Sequence, residues 1–401
     1  MHTHLGVVVR TSDGEKMRKA TILDEMEEVK RIDKSDILGH CLKTPEYCED
    51  AIQLAKQIAI PTEIKISEKT SIRYGKPRHI IIAGMGGSAI GGEMLRDWLR
   101  DELRLPIEVC RDYFLPAYAD ENTLVFAISY SGNTEETLNA FVDAVHRKCM
   151  TITISSGGHL LSFTQKLQIP HVTIPTGFPP RVAIPYLFFP LPILMERMGI
   201  LKKVDEDLEE VIQVLKRLSK ENLPETSTEN SPTKKLALEL AGSMPVVYGF
   251  RQYGAIARRW KTQFNENSKV PSTCDVFPEL NHNEVVGWEA PEALTKKFSV
   301  ILLRDLDEPP EIRHRIEATK SLALHKAWEV LEIYARGERK LARMFSLLYV
   351  GDLTSIYLAI LQGTDPSPVE IIDKIKLEMG KRFNLVEKLK VEAQKWLKGS
   401  S

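Results

Sequence analysis

This chain of 401 residues lacks regularly spaced cysteines, a large net charge and long uninterrupted apolar runs. The five cysteines are odd in number and scattered, without the spacings that bind zinc or build a disulfide scaffold. This pattern favours reduced thiols in a protein core. With 54 Lys plus Arg against 55 Asp plus Glu, the formal net charge is -1, so the basic excess of a dedicated nucleic-acid binder is absent.

No stretch of the sequence reaches the roughly 18–20 consecutive apolar residues that a membrane span requires. The longest apolar run, Val182 to Met195, is interrupted by three prolines. The first 16 residues are polar and lack the apolar stretch of a secretory signal. We therefore expect a protein of the cytoplasm that contacts neither membrane nor nucleic acid.

Strand and helix patterns alternate from His79 onward, which predicts an α/β fold with a parallel sheet covered by helices on both faces. A polar stretch at 221–234 separates two similar halves and is interpreted as a linker. The length agrees with more than one domain. The predicted organisation is an N-terminal helical segment packing on the core at 1–60, a first α/β domain at 61–200, a helix with the linker at 201–234, a second α/β domain at 235–385, and a charged tail at 386–401.

A glycine-rich loop, Gly84-Met85-Gly86-Gly87-Ser88-Ala89, follows the apolar strand residues 80–82 and opens a helix. Small residues let the backbone amides approach an anion, so Gly86, Gly87 and Ser88 are candidate phosphate ligands. The same spacing also fits the dinucleotide fingerprint, with Glu108 as the acid for the ribose. The loop alone does not separate these two interpretations.

A second loop, Ser129-Tyr130-Ser131-Gly132-Asn133-Thr134, lies between a predicted strand and a predicted helix. Ser129, Ser131 and Thr134 offer three hydroxyl groups beside one helix N-terminus, an arrangement that suits a terminal monophosphate. The alternative is a simple turn in which Thr134 and Thr137 cap the helix. We favour phosphate binding because two small-residue loops end neighbouring strands of one predicted sheet.

The segments GMGGSAIGG and SYSGNTEET resemble the sugar isomerase (SIS) domain, a flavodoxin-like fold that holds a phosphosugar at its strand ends. From about residue 16 to residue 382, the chain resembles the bifunctional phosphoglucose/phosphomannose isomerases, which consist of two SIS domains. The resemblance implies conversion of glucose 6-phosphate, and of mannose 6-phosphate, to fructose 6-phosphate through a cis-enediol without a cofactor. It also implies a homodimer in which His282 reaches the active site of the partner subunit.

The second half contains polar segments at 263–269 and 278–288 that suit a hydroxyl-rich substrate, although a solvated loop is the alternative. Aldose–ketose conversion needs a base that carries a proton between C2 and C1, and Glu266 is the candidate. Histidine is the side chain best suited to proton transfer near neutral pH, and His282 is the candidate for ring opening and for proton transfer at O1. Arg181, after two prolines, is the candidate that stabilises the enediolate charge. Glu279, His282 and Glu284 lack a second histidine, so no metal is expected.

The last candidate residues follow Gly363-Thr364-Asp365-Pro366. By resemblance, one lysine in this region assists ring opening; Lys374 is preferred and Lys376 is the alternative. Ser367 stands where the family has a threonine that leaves room for either C2 epimer, and we expect it on the same helix face as Lys374. Two further hypotheses stay open at this point: a non-catalytic phosphosugar-binding SIS regulator and a nicotinamide-dependent dehydrogenase.

Overall fold

The computed structural model describes residues 22–68, 70–382, 387 and 389. These residues form two compact units, which we name after their sheets. The five-stranded unit comprises Thr44–Leu208 with the described part of Val369–Ser401, and the four-stranded unit comprises the described part of Met1–Lys43 with Glu209–Pro368. The chain therefore changes unit three times along its length.

Strands and helices alternate along both units. The strands are β1 (Glu63–Ser67), β2 (Thr70–Arg73), β3 (His79–Ala83), β4 (Ile107–Cys110), β5 (Thr123–Ile128), β6 (Met150–Ser155), β7 (His171–Thr173), β8 (Met244–Phe250), β9 (Thr273–Phe277), β10 (Phe298–Arg304) and β11 (Glu329–Tyr334). The α-helices are α1 (Met26–Ile32), α2 (Ile37–Leu42), α3 (Thr44–Lys56), α4 (Gly87–Leu99), α5 (Glu135–His146), α6 (Gly158–Leu167), α7 (Ile184–Phe188), α8 (Pro190–Arg197), α9 (Asp205–Glu221), α10 (Pro232–Leu240), α11 (Gly254–Gln263), α12 (Glu292–Thr295), α13 (Pro310–Leu322), α14 (Lys340–Leu361) and α15 (Glu370–Arg382). Shorter turns are the 3-10 turns Arg251–Tyr253, Glu279–His282, Glu284–Glu289 and Leu324–Lys326 and the π-helical turn Phe264–Ser268.

The five-stranded sheet is parallel throughout, in the order β4-β3-β5-β6-β7. Every residue of β5 and β6 is buried, as expected for strands that are covered by helices on both faces. The order is the 2-1-3-4-5 arrangement of flavodoxin-like folds. The predicted parallel α/β fold is therefore confirmed for this half.

The four-stranded sheet has the order β11-β10-β8-β9 and is also parallel. Numbered from β8, it repeats the 2-1-3-4 order of the other unit, so the two halves are similar in topology as well as in pattern. The sequence did not predict its edge strands, β9 and β11. Both are short, and most of their residues are only half-buried or exposed, so neither shows the apolar run of a central strand.

Helix α14 is long and apolar enough to cross a membrane, but its most apolar part is almost entirely buried in the structure. The helix packs against α10 and α11 within the four-stranded unit. Its composition is therefore that of a core helix.

The stretch predicted as a linker, 221–234, packs inside the four-stranded unit. Asn222 and Lys234 are completely buried. The Asn222 side-chain oxygen accepts hydrogen bonds from Ser231 Oγ, Thr233 N and Thr233 Oγ1. Lys234 Nζ donates to three backbone carbonyls and to Asp24. Because these buried polar groups satisfy one another, the stretch is polar in composition and yet ordered.

Apart from residues 387 and 389, the predicted charged tail at 386–401 lies outside the described residues, as do residues 1–21 of the predicted N-terminal segment. Leu389 is 2% exposed and belongs to the core of the five-stranded unit, together with Phe141, Phe163 and Leu167. This position of the chain near its C-terminus is thus part of the packing of that unit.

Candidate active site

The glycine loop and the serine loop end the adjacent strands β3 and β5 of the five-stranded sheet. In this strand order, the chain leaves β3 and β5 toward opposite sides, which makes their boundary the topological switch point. Ligands of open α/β sheets bind at the carboxyl ends of the strands at this point. The predicted phosphate residues are therefore brought to the expected ligand position of this unit.

Close backbone packing explains the glycines of the first loop. A Cβ atom at Gly84 would lie 3.0 Å from the Ile128 carbonyl oxygen, and one at Gly87 would lie 3.3 Å from the Pro180 carbonyl oxygen. Gly86, at φ +52°, precedes α4 without any side-chain cap. Within the first turn of α4, the amides of Ser88 and Ala89 already donate to backbone carbonyls, which leaves the amide of Gly87 for an external acceptor.

The hydroxyl groups of the second loop divide into two roles. Ser129 is buried; its Oγ accepts from Gly132 N at 3.1 Å and lies 2.9 Å from Thr134 Oγ1. Ser131 is exposed, and its Oγ accepts from Asn133 N at 3.2 Å. Ser129 thus shapes the turn, whereas Ser131 retains a hydroxyl proton for an oxygen of a ligand.

The alternative role of this loop, a side-chain cap on the helix that follows, requires a threonine oxygen that accepts from a backbone amide in the first turn. Thr134 precedes α5, but its side chain makes no capping bond. Thr137 Oγ1 donates to the Ile128 carbonyl. Like α4, α5 therefore begins without a side-chain cap and leaves its N-terminal amides for an anion.

The two loops and the Arg181 segment meet within this unit. Tyr130 N lies 3.4 Å from Ser88 Oγ and links the serine loop to the glycine loop. Tyr130 Oη accepts from Phe178 N at 3.3 Å, and Arg181 itself is buried. Arg181 Cα would lie 3.7 Å from a Cβ atom at Gly87. The backbone at Arg181 therefore packs against the glycine loop, beside the candidate phosphate site.

Aromatic packing holds the segment that carries Arg181. The rings of Tyr47 and Phe178 stack at 5.4 Å between centroids, and those of Phe178 and Tyr186 stack at 5.8 Å. Tyr186 Oη donates to Asp50 at 2.9 Å. The approach to Arg181 is therefore fixed from α3 and α7 before any ligand binds.

Substituting Ser131 by alanine should weaken substrate binding. The change removes one hydroxyl donor beside a charged group, and we expect KM to rise about tenfold with little change in kcat. Steady-state kinetics and chemical denaturation measure the two effects. Ser321→Ala, an exposed serine on α13, is the matched control. A loss of stability with unchanged KM would instead support a role in the turn alone.

Glu266, the candidate base, lies in the π-helical turn Phe264–Ser268 that ends α11. Such turns are frequent at functional sites. Asn267 Nδ2 donates to Ser355 Oγ at 2.9 Å, and Ser268 Oγ donates to the Ser355 carbonyl at 2.6 Å. The buried helix α14 therefore anchors the turn, while Glu266 itself is half-buried.

Ser367 lies close to this turn. Lys269 Nζ donates to the Glu266 carbonyl at 2.5 Å and to the Pro366 carbonyl at 3.1 Å. The expected position of Ser367 on the same helix face as Lys374 is wrong, since α15 begins at Glu370 and Ser367 lies in a bend before it. Prolines at 366 and 368 delay the helix because they restrict the preceding residues to extended backbone.

Lys374 and Lys376 lie on α15, in the part of the chain assigned to the five-stranded unit. No residue of this helix is buried. Lys374 is 71% exposed and pairs with Glu370 at 3.2 Å, one helical turn earlier. The preference for Lys374 over Lys376 stays a prediction.

His282 ends a 3-10 turn after β9 and is exposed. The segments on both sides of it are fixed. Before it, Asn281 Nδ2 donates to Thr319 Oγ1 at 2.7 Å. After it, the Trp288 indole donates to Tyr248 Oη at 3.0 Å, which in turn donates to Glu284 at 3.1 Å. Burial raises the pKa of Glu284, and the hydrogen bond from Tyr248 opposes that rise.

Glu266 and His282 lie at opposite ends of strand β9. The Glu266 turn precedes the strand, near Ser272, whose Oγ donates to the carbonyl of Pro245 at the start of β8. His282 follows the strand, near Tyr248 toward the end of β8. A five-residue strand separates its ends by about 17 Å. Within one unit, the two side chains are therefore not brought together.

A metal site and a dinucleotide site are the two other kinds of site that the sequence raised. Among the residues that it describes, no three His, Cys, Asp or Glu side chains come close enough to hold a metal ion. Glu108, the ribose acid of the dinucleotide interpretation, accepts a hydrogen bond from Tyr118 Oη at 2.5 Å. It is thus already engaged within its own unit.

Comparison with known proteins first identifies the class. Residues 229–379 match the family model described as the bacterial phospho-glucose isomerase C-terminal SIS domain. The C-terminal domain of glucosamine-fructose-6-phosphate aminotransferase from Francisella tularensis has a similar fold, with a TM-score of 0.59 and 17% identity over 83% of this chain and 98% of that one. The fold and the site thus define an SIS-domain protein, and the predicted fold class is confirmed.

Similar sequences then identify the family. The bifunctional phosphoglucose/phosphomannose isomerase of Caldicellulosiruptor bescii is 41% identical over 83% of this chain and 95% of its own length. The protein of the same name from Aquifex aeolicus is 37% identical over 75% of this chain and 90% of its own length. The chain belongs to the bifunctional phosphoglucose/phosphomannose isomerase family, as predicted.

The sequence analysis predicted no function for several residues that support the site. Lys269 lies inside a segment that was singled out as polar, and Tyr248 lies on a predicted strand. A signal for the π-helical turn exists in retrospect, because five polar residues from Asn265 to Lys269 follow the periodic helix α11. The hydrogen bonds themselves join distant positions and required the tertiary structure.

Proposed function

We propose that this chain interconverts glucose 6-phosphate and mannose 6-phosphate with fructose 6-phosphate, as an enzyme of glycolysis and gluconeogenesis. Membership of the bifunctional isomerase family is the observation that carries the proposal. The comparisons give no support to the non-catalytic alternative. The N-termini of α4 and α5 lie at the switch point of the five-stranded sheet without side-chain caps, which suits the phosphate group that all three sugars share.

In the proposed reaction, the phosphate binds at Gly86, Gly87, Ser88 and the Ser129–Thr134 loop. His282 exchanges a proton with the ring oxygen and with O1, assisted by Lys374. Glu266 moves the proton between C2 and C1 of the cis-enediol. Arg181 balances the negative charge that develops on the enediolate oxygen. No cofactor enters this scheme, because the proton that leaves one carbon returns to its neighbour.

We propose that the active enzyme is a homodimer and that His282 acts in the site of the partner subunit. Glu266 and His282 must reach atoms of one sugar that are only a few bonds apart. The two side chains lie beyond opposite ends of β9, a five-residue strand that is about 17 Å long. A second copy of the chain supplies the histidine that the first copy holds too far away.

We further propose that the enzyme is cytoplasmic. The five cysteines are odd in number and scattered along the sequence, and four of them are buried in the structure. Buried cysteines without the spacing of a disulfide scaffold fit a reducing compartment.

Incubation with fructose 6-phosphate, followed by NMR, tests the reaction and its stereochemistry together. We expect both glucose 6-phosphate and mannose 6-phosphate to appear, with exchange of the C2 proton. Formation of neither product would refute the proposed function. Light scattering tests the dimer separately, and a fully active monomer would contradict the shared site.

A further inference from the structure

We infer that Lys269 is a positioning residue that fixes Ser367 relative to Glu266 and thereby sets the preference between the two C2 epimers. The inference rests on the proposed function, because it takes Glu266 as the base, and on the position beside C2 that the sequence analysis predicts for Ser367. It goes beyond that function by assigning epimer selectivity to a side chain that touches neither the reacting carbons nor the phosphate.

The geometry around Lys269 joins two separate segments of the chain. Its Nζ donates to the carbonyl oxygens of Glu266 at 2.5 Å, Asn267 at 3.4 Å and Pro366 at 3.1 Å. A lysine ammonium has three donors and no acceptor, so it suits a group of three carbonyls. Two of these carbonyls belong to the turn of the candidate base, and the third immediately precedes Ser367.

The backbone of Lys269 is shaped for this contact. Its φ of +57° is left-handed, a conformation that is uncommon for residues other than glycine. Its amide donates to the Phe264 carbonyl and closes the π-helical turn. The turn is also held from the other side, by Asn267 and Ser268 on Ser355 of α14. Lys269 therefore extends from an already fixed turn to the bend that contains Ser367.

The bend has a different kind of support. Gly363 is left-handed at φ +68°, and Ser367 N donates to the Asp365 side chain at 2.9 Å. These are local features that shape the bend without attaching it to the turn of Glu266. The ammonium of Lys269 provides an attachment between the two segments.

This attachment bears on selectivity because the two aldose phosphates differ only in configuration at C2. One carboxylate must deliver the C2 proton in both cases, so the space between that carboxylate and the opposite wall decides which orientation is favoured. A change of about 1 Å in such a distance is enough to alter rates strongly. Loosening the bend should make the pocket less discriminating.

The test compares kcat/KM for glucose 6-phosphate and for mannose 6-phosphate in K269M, K269R and K261M. K269M keeps the aliphatic stem and loses the donors, whereas K269R keeps a positive charge and several donors. Lys261 lies on α11, three residues before the turn. We expect the preference between the substrates to move at least about threefold toward equality in K269M, partly restored in K269R and unchanged in K261M.

Equal losses on both substrates in K269M would show a merely structural role and would overturn the inference. An unchanged ratio with unchanged rates would overturn it as well. If K269M does not fold, K269Q, whose side chain is shorter and uncharged, replaces it with the same expected shift. If the wild-type enzyme acts on both sugars and K269M has the same ratio of kcat/KM values, only this inference is refuted. If the wild-type enzyme acts on neither sugar, the proposed function is refuted.

Discussion

Glu266→Gln should bind substrate and almost stop turning it over. Glutamine keeps the size of the side chain and its hydrogen-bonding shape, but it cannot accept the proton from C2. General base catalysis contributes about 10²–10⁴-fold, so we expect kcat to fall by that amount while KM stays within about twofold. Coupled assays with both aldose phosphates and with fructose 6-phosphate measure the loss in each direction.

A second measurement makes this result specific to proton transfer. The variant should also lose the exchange of the C2 proton with solvent. NMR measures this exchange even when there is no net conversion of substrate to product. Glu289→Gln is the matched control, because Glu289 is an exposed glutamate that ends the 3-10 turn Glu284–Glu289, beyond the opposite end of β9 from Glu266. Full activity of Glu266→Gln would remove Glu266 from the mechanism and direct attention to another carboxylate.

Gly132→Ala should damage both the phosphate site and the stability of the five-stranded unit. Gly132 has φ +68°, and a Cβ atom there would lie 1.9 Å from the Gly157 carbonyl oxygen. A backbone carbonyl cannot rotate away as a flexible side chain can, so the serine loop must move to avoid the clash. We expect a loss of about 1–3 kcal/mol in the free energy of unfolding. Because the shift misplaces Ser131 and the first amides of α5, KM should rise more than about tenfold.

Gly157→Ala provides the control for this substitution. Gly157 lies in the opposing loop at φ 161°, an extended conformation, and a Cβ atom there would meet no atom within 4 Å. Denaturation and kinetics of the two alanine variants should therefore differ clearly. Similar behaviour of both would mean that close packing at Gly132 does not shape the phosphate loop.

The central strands and both small-residue loops were predictable because their information is local. Strands such as β5 are continuous apolar runs, and the loop after each begins with glycine or serine directly before a helix. The edge strands β9 and β11 were missed because their half-exposed residues carry a weaker pattern. The stretch 221–234 was predicted as a linker for a similar reason. Buried polar residues that hydrogen-bond to one another have the same composition as an exposed linker.

By itself, the sequence determined the parallel α/β class, the family and the chemical types of the candidate residues, since periodicity and short motifs are properties of neighbouring positions. Only the tertiary structure decided how those residues are supported. It placed Glu266 on a π-helical turn anchored by Ser355, joined that turn to the Ser367 bend through Lys269, and separated Glu266 from His282 by the length of β9. These relations depend on hydrogen bonds and strand lengths that join distant positions, and no local pattern encodes them.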